Sequence, residues 1–282
     1  MLPKIEIPDC TYIGAFLTLR CNYSCSYCIN KHGDFKPRHE MTGQEWCQGL
    51  NRLVIDRKQM VPVTLQGGEP TVHREWPEII EGIKEDLYID ILTNMTFDLD
   101  EFMIAAPPAR WERDVPYPTI RVSYHPEFAK FDRLLDRVSR LDLWGYPVGV
   151  FVVAHPSVDV EPLKNKAKRM GLDFRTKEFL GWFEGRLYGK YRYQTLGGKR
   201  VRCRSHELLI APDGNIHRCH RDLYSGENSI GHILDPSLKI EFKFRPCDNP
   251  QCNECDLKLK NNRFQQFGSC SVEIVEYEDM VS

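Results

Sequence analysis

Six short apolar runs, each followed by a stretch of helical periodicity, fill the first two thirds of the chain and restrict its fold more than any other feature. The runs are Ala15 to Leu19, Val61 to Leu65, Tyr88 to Leu92, Thr119 to Ser123, Val148 to Val153 and Leu172 to Lys177. Short apolar, β-branched runs read as strands, and their alternation with helices predicts repeated β-α units around a parallel sheet. The intervening segments carry apolar residues three and four apart: Trp46, Leu50 and Leu53; Trp76, Ile79, Ile80 and Ile83; Phe131, Leu134, Leu135, Val138 and Leu141. Such stripes are the core faces of amphipathic helices. At 282 residues and 41% hydrophobic content the chain can bury one large domain and a small one.

The 38 basic and 40 acidic residues are interspersed and leave a formal net charge of -2. No broad cationic surface exists to neutralise phosphates, so nucleic acid is not an expected partner. No apolar run approaches the roughly 20 residues that span a bilayer, so no membrane association is expected. The opening MLPKIEIPDC lacks the apolar centre of a signal peptide, and the expected location is the cytoplasm. Eleven cysteines fall in two groups, with none between Cys47 and Cys203. In a reducing compartment such clustering points to metal binding rather than to disulfides. Cys10 and Cys47 read as free, partly buried thiols.

The first group, Cys21-Asn22-Tyr23-Ser24-Cys25-Ser26-Tyr27-Cys28, follows the first strand with CxxxCxxC spacing. Thiolate is the ligand that iron-sulfur clusters take. Three thiolates leave one iron of a cubane open, which suits catalysis; a zinc site completed by a distant ligand such as His32 uses the same residues. The second strand ends in Leu65-Gln66-Gly67-Gly68-Glu69-Pro70, where two glycines let backbone approach a ligand closely and Glu69 suits a cationic amino group.

With the cysteine loop after strand one and GGEP after strand two, the chain resembles the radical S-adenosylmethionine (SAM) superfamily. That resemblance implies a [4Fe-4S] cluster on Cys21, Cys25 and Cys28, with Gly67, Gly68 and Glu69 at the methionine amino group of SAM. It also implies an α/β fold, a partial (β/α)6 TIM-type barrel over residues 1–185, in keeping with the six units. In such barrels the site lies at the C-terminal strand ends, which makes Tyr27, Thr93, Asn94, Ser123, His125 and Lys177 candidates to line it. Tyr27 fits the family's adenine-contacting aromatic. Asn94 in Leu92-Thr93-Asn94-Met95 resembles the family's TNG, with Met95 in place of glycine, and Ser123 stands where a polar residue meets ribose or carboxylate. The strand-five glycine motif is not recognisable in Val150-Phe151-Val152-Val153. His125 and His155, each followed by proline, are substrate-contact candidates or structural donors; His125 and Lys177 are the candidates for catalysis.

Residues 181–202 are rich in glycine, basic and aromatic residues without clean periodicity, which places a domain boundary near 185/186. Beyond it, Glu207 to Ala211, a turn at Pro212-Asp213-Gly214, and Asn215 to Cys219 read as a hairpin. Cys203 and Cys219 flank Gly214 in the pattern C-x10-G-x4-C, followed by Cys252-Asn253-Glu254-Cys255. This is similar to the twitch domain, the shortened relative of SPASM, and implies one auxiliary [4Fe-4S] cluster on Cys203, Cys219, Cys252 and Cys255 in a small cysteine-rich domain over 186–282. Cys247, Cys252, Cys255 and Cys270 form a competing set, and zinc an alternative metal.

The implied activity is reductive cleavage of SAM to a 5'-deoxyadenosyl radical that abstracts hydrogen from a substrate carbon, with an external donor such as flavodoxin or ferredoxin. Twitch-type likeness points toward the dehydrogenase of aminocyclitol biosynthesis, and hence to an oxidation of a small polar molecule such as a sugar or amino sugar. The same parts serve peptide crosslinking, epimerisation and molybdopterin-precursor cyclisation, and modification of a ribosomal peptide is the alternative reading. An electron-transfer module without SAM chemistry is the alternative from another class.

Overall fold

In the computed structural model, the residues described are 2–28, 39–56, 60–179, 181–188, 201–247 and 272–276. Six parallel strands carry the fold: β1 (Tyr12–Thr18), β2 (Val63–Gly67), β3 (Ile89–Thr93), β4 (Ile120–Tyr124), β5 (Val148–Ala154) and β6 (Asp173–Glu178). They lie side by side in sequence order. All six expected runs are strands, displaced by up to three residues at their starts. Between them stand α1 (Gly43–Leu50), α2 (Trp76–Gly82), α3 (Leu99–Ala105), α4 (Phe131–Leu143) and α5 (Val160–Arg169).

Local chemistry explains the helix ends. Thr42 and Glu45 form a capping box at α1, the Thr42 hydroxyl accepting from the Glu45 N–H and the Glu45 carboxylate accepting from the Thr42 N–H. Asp98 and Asp159 cap α3 and α5 in the same sense. The predicted stripe of α4 is buried at every position, Phe131, Leu134, Leu135, Val138 and Leu141. The α1 stripe ends earlier than expected, because Leu53 belongs to the short strand Leu53–Val54, which pairs with Ile5–Glu6.

Strand alternation sorts the side chains into two layers. Ile13, Ala15 and Leu17, Val63 and Leu65, Ile89 and Ile91, Ile120 and Val122, and Val148, Val150 and Val152 join the helices in the main core. The opposite face is polar though buried, with Thr64, Gln66, Asp90 and Arg121 on β2 to β4.

The sheet continues past the expected 185/186 boundary. After β6 comes a tight hairpin, Gly181–Phe183 with Arg186–Tyr188, whose turn residues Glu184 and Gly185 have φ of 47° and 74°; both left-handed values are what a type I' turn requires. Then β7 (Glu207–Ile210) pairs parallel with β1, and β8 (Asn215–His217) and β9 (Gly231–His232) extend that edge antiparallel. Gly214, at φ 82°, makes the β7–β8 turn, where a Cβ would lie 2.5 Å from the His232 ring. Helix α6 (His220–Ser225) packs Leu223 and Tyr224 onto Tyr12, Phe16, Leu209 and Ala211, covering the inner face at this edge. Val201–Ser205 forms a separate three-stranded sheet with Arg245–Cys247 and Val272–Glu276. The fold is thus α/β with a large, mostly parallel sheet, and no helix among the described residues is long and apolar enough to cross a membrane.

Candidate functional site

The loop leaving β1 and the turn leaving β2 are packed backbone to backbone. Gly68 N–H donates to Thr18 O and Glu69 N–H to Arg20 O, each at 2.9 Å. A Cβ on Gly67 would stand 2.0 Å from Thr18 O, and one on Gly68 2.1 Å from Arg20 O. The two glycines therefore admit the start of the cysteine loop itself, a close approach that any side chain would block.

Glu69 is buried and joins this turn to β3. Its carboxylate accepts from Thr71 Oγ1 and Thr93 Oγ1 at 2.7 Å, from Asn94 N–H at 2.6 Å and from Thr71 N–H at 3.3 Å. Burial raises its pKa, and these donors oppose the rise. Asn94 then reaches the cysteine loop, its Nδ2 donating to Asn22 Oδ1 at 2.7 Å, while Asn22 Nδ2 donates to Thr96 Oγ1 at 2.7 Å. The residue after Asn94 has the backbone of a glycine: Met95 sits at φ 59° with its side chain buried.

In the loop, Cys25 is buried and Cys21 exposed. Tyr23 N–H donates to Cys21 Sγ at 3.3 Å. Burial pushes the Cys25 thiol up to about 11, with Cys28, Glu127 and Cys21 adding to the rise; Cys21 is raised by burial first, with Glu69 and Cys28 contributing. The three sulfurs are therefore electrostatic neighbours. Among the described residues no three His, Cys, Asp or Glu side chains converge as a single metal ion requires. A cubane offers a separate iron corner to each ligand, so three soft donors that are neighbours without sharing one point fit that group.

The end of β4 grips this loop through two residues of one turn. His125 Nδ1 lies 3.4 Å from Cys25 Sγ and 3.2 Å from the Tyr27 hydroxyl, and burial lowers the His125 pKa. Glu127 accepts from the Ser26 N–H at 2.8 Å and from the Ser26 hydroxyl. Glu127 and Asn22 went unnoticed in the sequence; the only available signal was the placement of Glu127 two residues after a strand-end histidine.

Aromatic rings continue the wall. Tyr27 faces His125 at 6.1 Å and His155 at 5.3 Å between centroids. His155 meets Phe179 at 4.6 Å and Phe183, from the hairpin after β6, at 4.7 Å. The His155 Nδ1 is occupied by Ser157, whose hydroxyl lies at 2.7 Å and whose N–H donates at 3.3 Å. Ser123 is partly buried on β4 opposite Phe151, and Lys177 pairs with Val153 on β6, its Nζ 5.5 Å from the Phe151 ring.

The second cysteine group is spread over separate elements. Cys203 lies opposite Arg245 and Ile274, and Val201 opposite Cys247, which puts Cys203 and Cys247 on one face of the small sheet. Cys219 caps α6, its sulfur accepting from the Asp222 N–H at 3.5 Å. Cys252, Cys255 and Cys270, like His32, lie outside the described residues. Cys10 is a fully buried free thiol, and Cys47 a half-buried one.

Residues 16–112 match the radical SAM superfamily. Molybdenum cofactor biosynthesis protein 1 of Drosophila melanogaster is 35% identical over 75 residues, 26% of this chain and 13% of that protein. A probable GTP 3',8-cyclase of Methanopyrus kandleri is 33% identical over 78 residues, 28% of this chain and 24% of that protein. The chain thus matches a quarter or less of the length of these curated relatives. Among solved structures, Streptococcus suis SuiB bound to precursor peptide SuiA superposes with a TM-score of 0.54 at 12% identity, covering 83% of this chain and 64% of that one, a likeness of fold. The cysteine loop, the GGEP turn and Asn94 all fall within the matched stretch, and the chain carries a radical SAM superfamily domain.

Proposed function

We propose that this protein is a radical SAM enzyme that modifies a small polar molecule, such as a sugar or amino sugar, by removing hydrogen from carbon. The observation that carries this reading is the convergence of three sequence-distant pieces on one sheet end: the Cys21–Cys28 loop, the Gly67-Gly68-Glu69 turn that packs against it, and Asn94, hydrogen-bonded to Asn22. When bound, the cluster and SAM supply an electron, drawn from a donor such as flavodoxin or ferredoxin, and a 5'-deoxyadenosyl radical.

The chain's own residues do the holding and orienting. Cys21, Cys25 and Cys28 are the cluster ligands. Glu69 keeps the Gly67-Gly68 peptides fixed against Thr18 and Arg20, so that the SAM amino group meets a turn that does not reorganise on binding, the arrangement that lowers the cost of association. Asn94, Ser123 and Tyr27 complete the SAM contacts. Lys177, on β6, is the proposed contact for a polar substrate group. The phenol of Tyr27 is held protonated, since burial and the neighbouring Cys25 raise its pKa, and so acts as a neutral hydrogen-bonding group. The auxiliary cluster on Cys203, Cys219, Cys252 and Cys255 within 186–282 belongs to the same proposal, as acceptor of an electron from the substrate.

The test is anaerobic reconstitution with iron and sulfide, reduction with SAM present, and assay of 5'-deoxyadenosine. Wild-type protein is expected to form it and Cys21→Ala, Cys25→Ala and Cys28→Ala to form none. Any of the three retaining wild-type cleavage removes the loop from the site. Transfer of label from a deuterated amino sugar into 5'-deoxyadenosine supports the substrate class, and transfer from a peptide instead overturns it.

A further inference from the structure

We propose that His125 is a positioning residue of the cysteine loop, its Nδ1–H donating to the sulfur of Cys25 and setting the reduction potential of the cluster held there. This rests on the reading of Cys21, Cys25 and Cys28 as cluster ligands and adds a role distinct from substrate contact.

The geometry singles out one sulfur. Cys25 is the buried thiol of the three, and His125 Nδ1 stands 3.4 Å from it, within the range of a hydrogen bond to sulfur. The imidazole is aimed, being held edge-on by Tyr23 at 5.9 Å and face-on by Tyr27 at 6.1 Å. Its backbone is fixed too, with His125 O accepting from the Phe128 and Ala129 N–H groups at 3.0 and 2.9 Å. Glu127, in the same turn, holds Ser26, the residue next to Cys25. Both polar side chains of the turn therefore act on consecutive loop residues.

The direction of the hydrogen bond follows from the ligand state. A sulfur bound to iron is a thiolate and offers only acceptance, so a bond between it and Nδ1 requires the proton on Nδ1. The Tyr27 hydroxyl, 3.2 Å from the same nitrogen, competes as acceptor, but the anionic sulfur draws the stronger, charge-assisted bond. Hydrogen bonds to ligand sulfurs are among the levers that set iron-sulfur potentials. Reduction adds negative charge, which a donor stabilises, so this bond makes the cluster easier to reduce.

The experiment is an EPR-monitored redox titration of full-length reconstituted protein as wild type, H125F and H125N, using the signal that changes on SAM addition to mark the loop cluster. H125F keeps a ring and loses the donor; H125N returns an N–H near the Nδ1 position. The expected result is a more negative midpoint in H125F and recovery toward wild type in H125N. An H125F midpoint equal to that of wild type overturns the proposal. Should H125F assemble no loop cluster, wild-type protein carrying 15N-histidine decides: a weak histidine-nitrogen coupling to the reduced cluster, lost in H125N and kept in H155F, supports it, and no coupling overturns it. A wild-type protein without a SAM-responsive cluster overturns the cluster reading itself, and the role of His125 with it.

Discussion

At the N-terminal end of the parallel sheet, Asp90 on β3 faces two cations and a phenol: Arg113 Nη1 at 2.5 Å, Arg121 Nη2 at 3.2 Å and the Tyr117 hydroxyl at 3.2 Å. Arg113 also donates to the Tyr117 hydroxyl, and the carboxylate and both guanidinium side chains are at most 4% exposed. At the C-terminal end, Glu69 takes four donors and, among the described residues, no cation, while Cys25, His125 and Tyr27 share one patch. Both ends bury polar groups. The first answers charge with charge inside a closed cluster, which fixes structure. The second fixes a carboxylate with neutral donors and sets Cys25 where burial first, then Cys28, Glu127 and Cys21, raise its pKa, a burden that a cationic metal centre relieves. The two ends differ in what answers the buried groups: ionic partners around Asp90 at one, neutral donors around Glu69 beside the thiols at the other.

The largest effect on stability is expected at the closed end. Asp90→Ala leaves Arg113 and Arg121 buried without a counter-ion, a change that costs about 3–5 kcal/mol, readable by urea unfolding. The iron content of the folded variant should match wild type. Folded Asp90→Ala protein that fails to take up iron would mean that the two ends are coupled. At the open end, Gly68→Ala forces a Cβ to within 2.1 Å of Arg20 O and 2.6 Å of Leu19 O, and backbone has to move. The expected cost is about 1–3 kcal/mol, with the larger loss in iron uptake, since the displaced segment leads into Cys21. Unchanged iron content would show that the loop does not depend on the turn.

A pH experiment sharpens the contrast. Cys10, just before β1, donates to Tyr12 O at 3.3 Å, and burial pushes its pKa up from 9.0 to about 12. A thiol whose pKa is higher in the folded state contributes stability that is full below its unfolded pKa and is lost as pH rises toward the folded one. Relative to Cys10→Ala, wild-type protein should lose stability progressively above about pH 9 and show no such loss below it. A flat difference between pH 7 and 10.5 would place Cys10 in contact with solvent. Cys25 is raised as well, but partly by neighbouring groups that a bound metal centre would offset.

What the sequence made legible follows from range. The first five strands were visible because burial writes a local apolar run, which the partly exposed sixth, Asp173–Glu178, lacks, and the α4 stripe because its five core positions repeat within 13 residues. The hairpin at 181–188 was not, since its strands are three residues each and Glu184 occupies a left-handed position usually signalled by glycine or asparagine. The return of β7 to β1 joins residues 207 and 12, and no local pattern encodes so distant a pairing. In the candidate site, cysteine spacing and GGEP stood out as strings. The residues that hold those strings in place, Glu127 with Ser26 and Asn22 with Asn94, are 101 and 72 positions apart; Asn94 stood out for its likeness to TNG, but no local pattern writes either pairing.

The smallest expected effect concerns Met95, where the chain keeps a glycine-like backbone without glycine. At φ 59° a side chain with a Cβ is strained by roughly 1 kcal/mol, yet Met95 is 1% exposed and belongs to the main core. Its N–H donates to Thr93 Oγ1 at 2.9 Å and its carbonyl accepts from Arg137 Nε at 3.0 Å, so the conformation is pinned from both sides. Removing the side chain loses about 2–5 kcal/mol of packing, which would mask the strain in any single variant. The pair Met95→Ala and Met95→Gly separates the two, because both lose the packing and only alanine keeps a Cβ. Ordinarily glycine is the less stable of such a pair by about 0.5–1 kcal/mol; here Met95→Gly should be the more stable, by about 1 kcal/mol in urea unfolding. An alanine variant equal to or more stable than the glycine one would show that the turn after β3 stores no strain, and that the neutral brace around Glu69 holds a relaxed backbone.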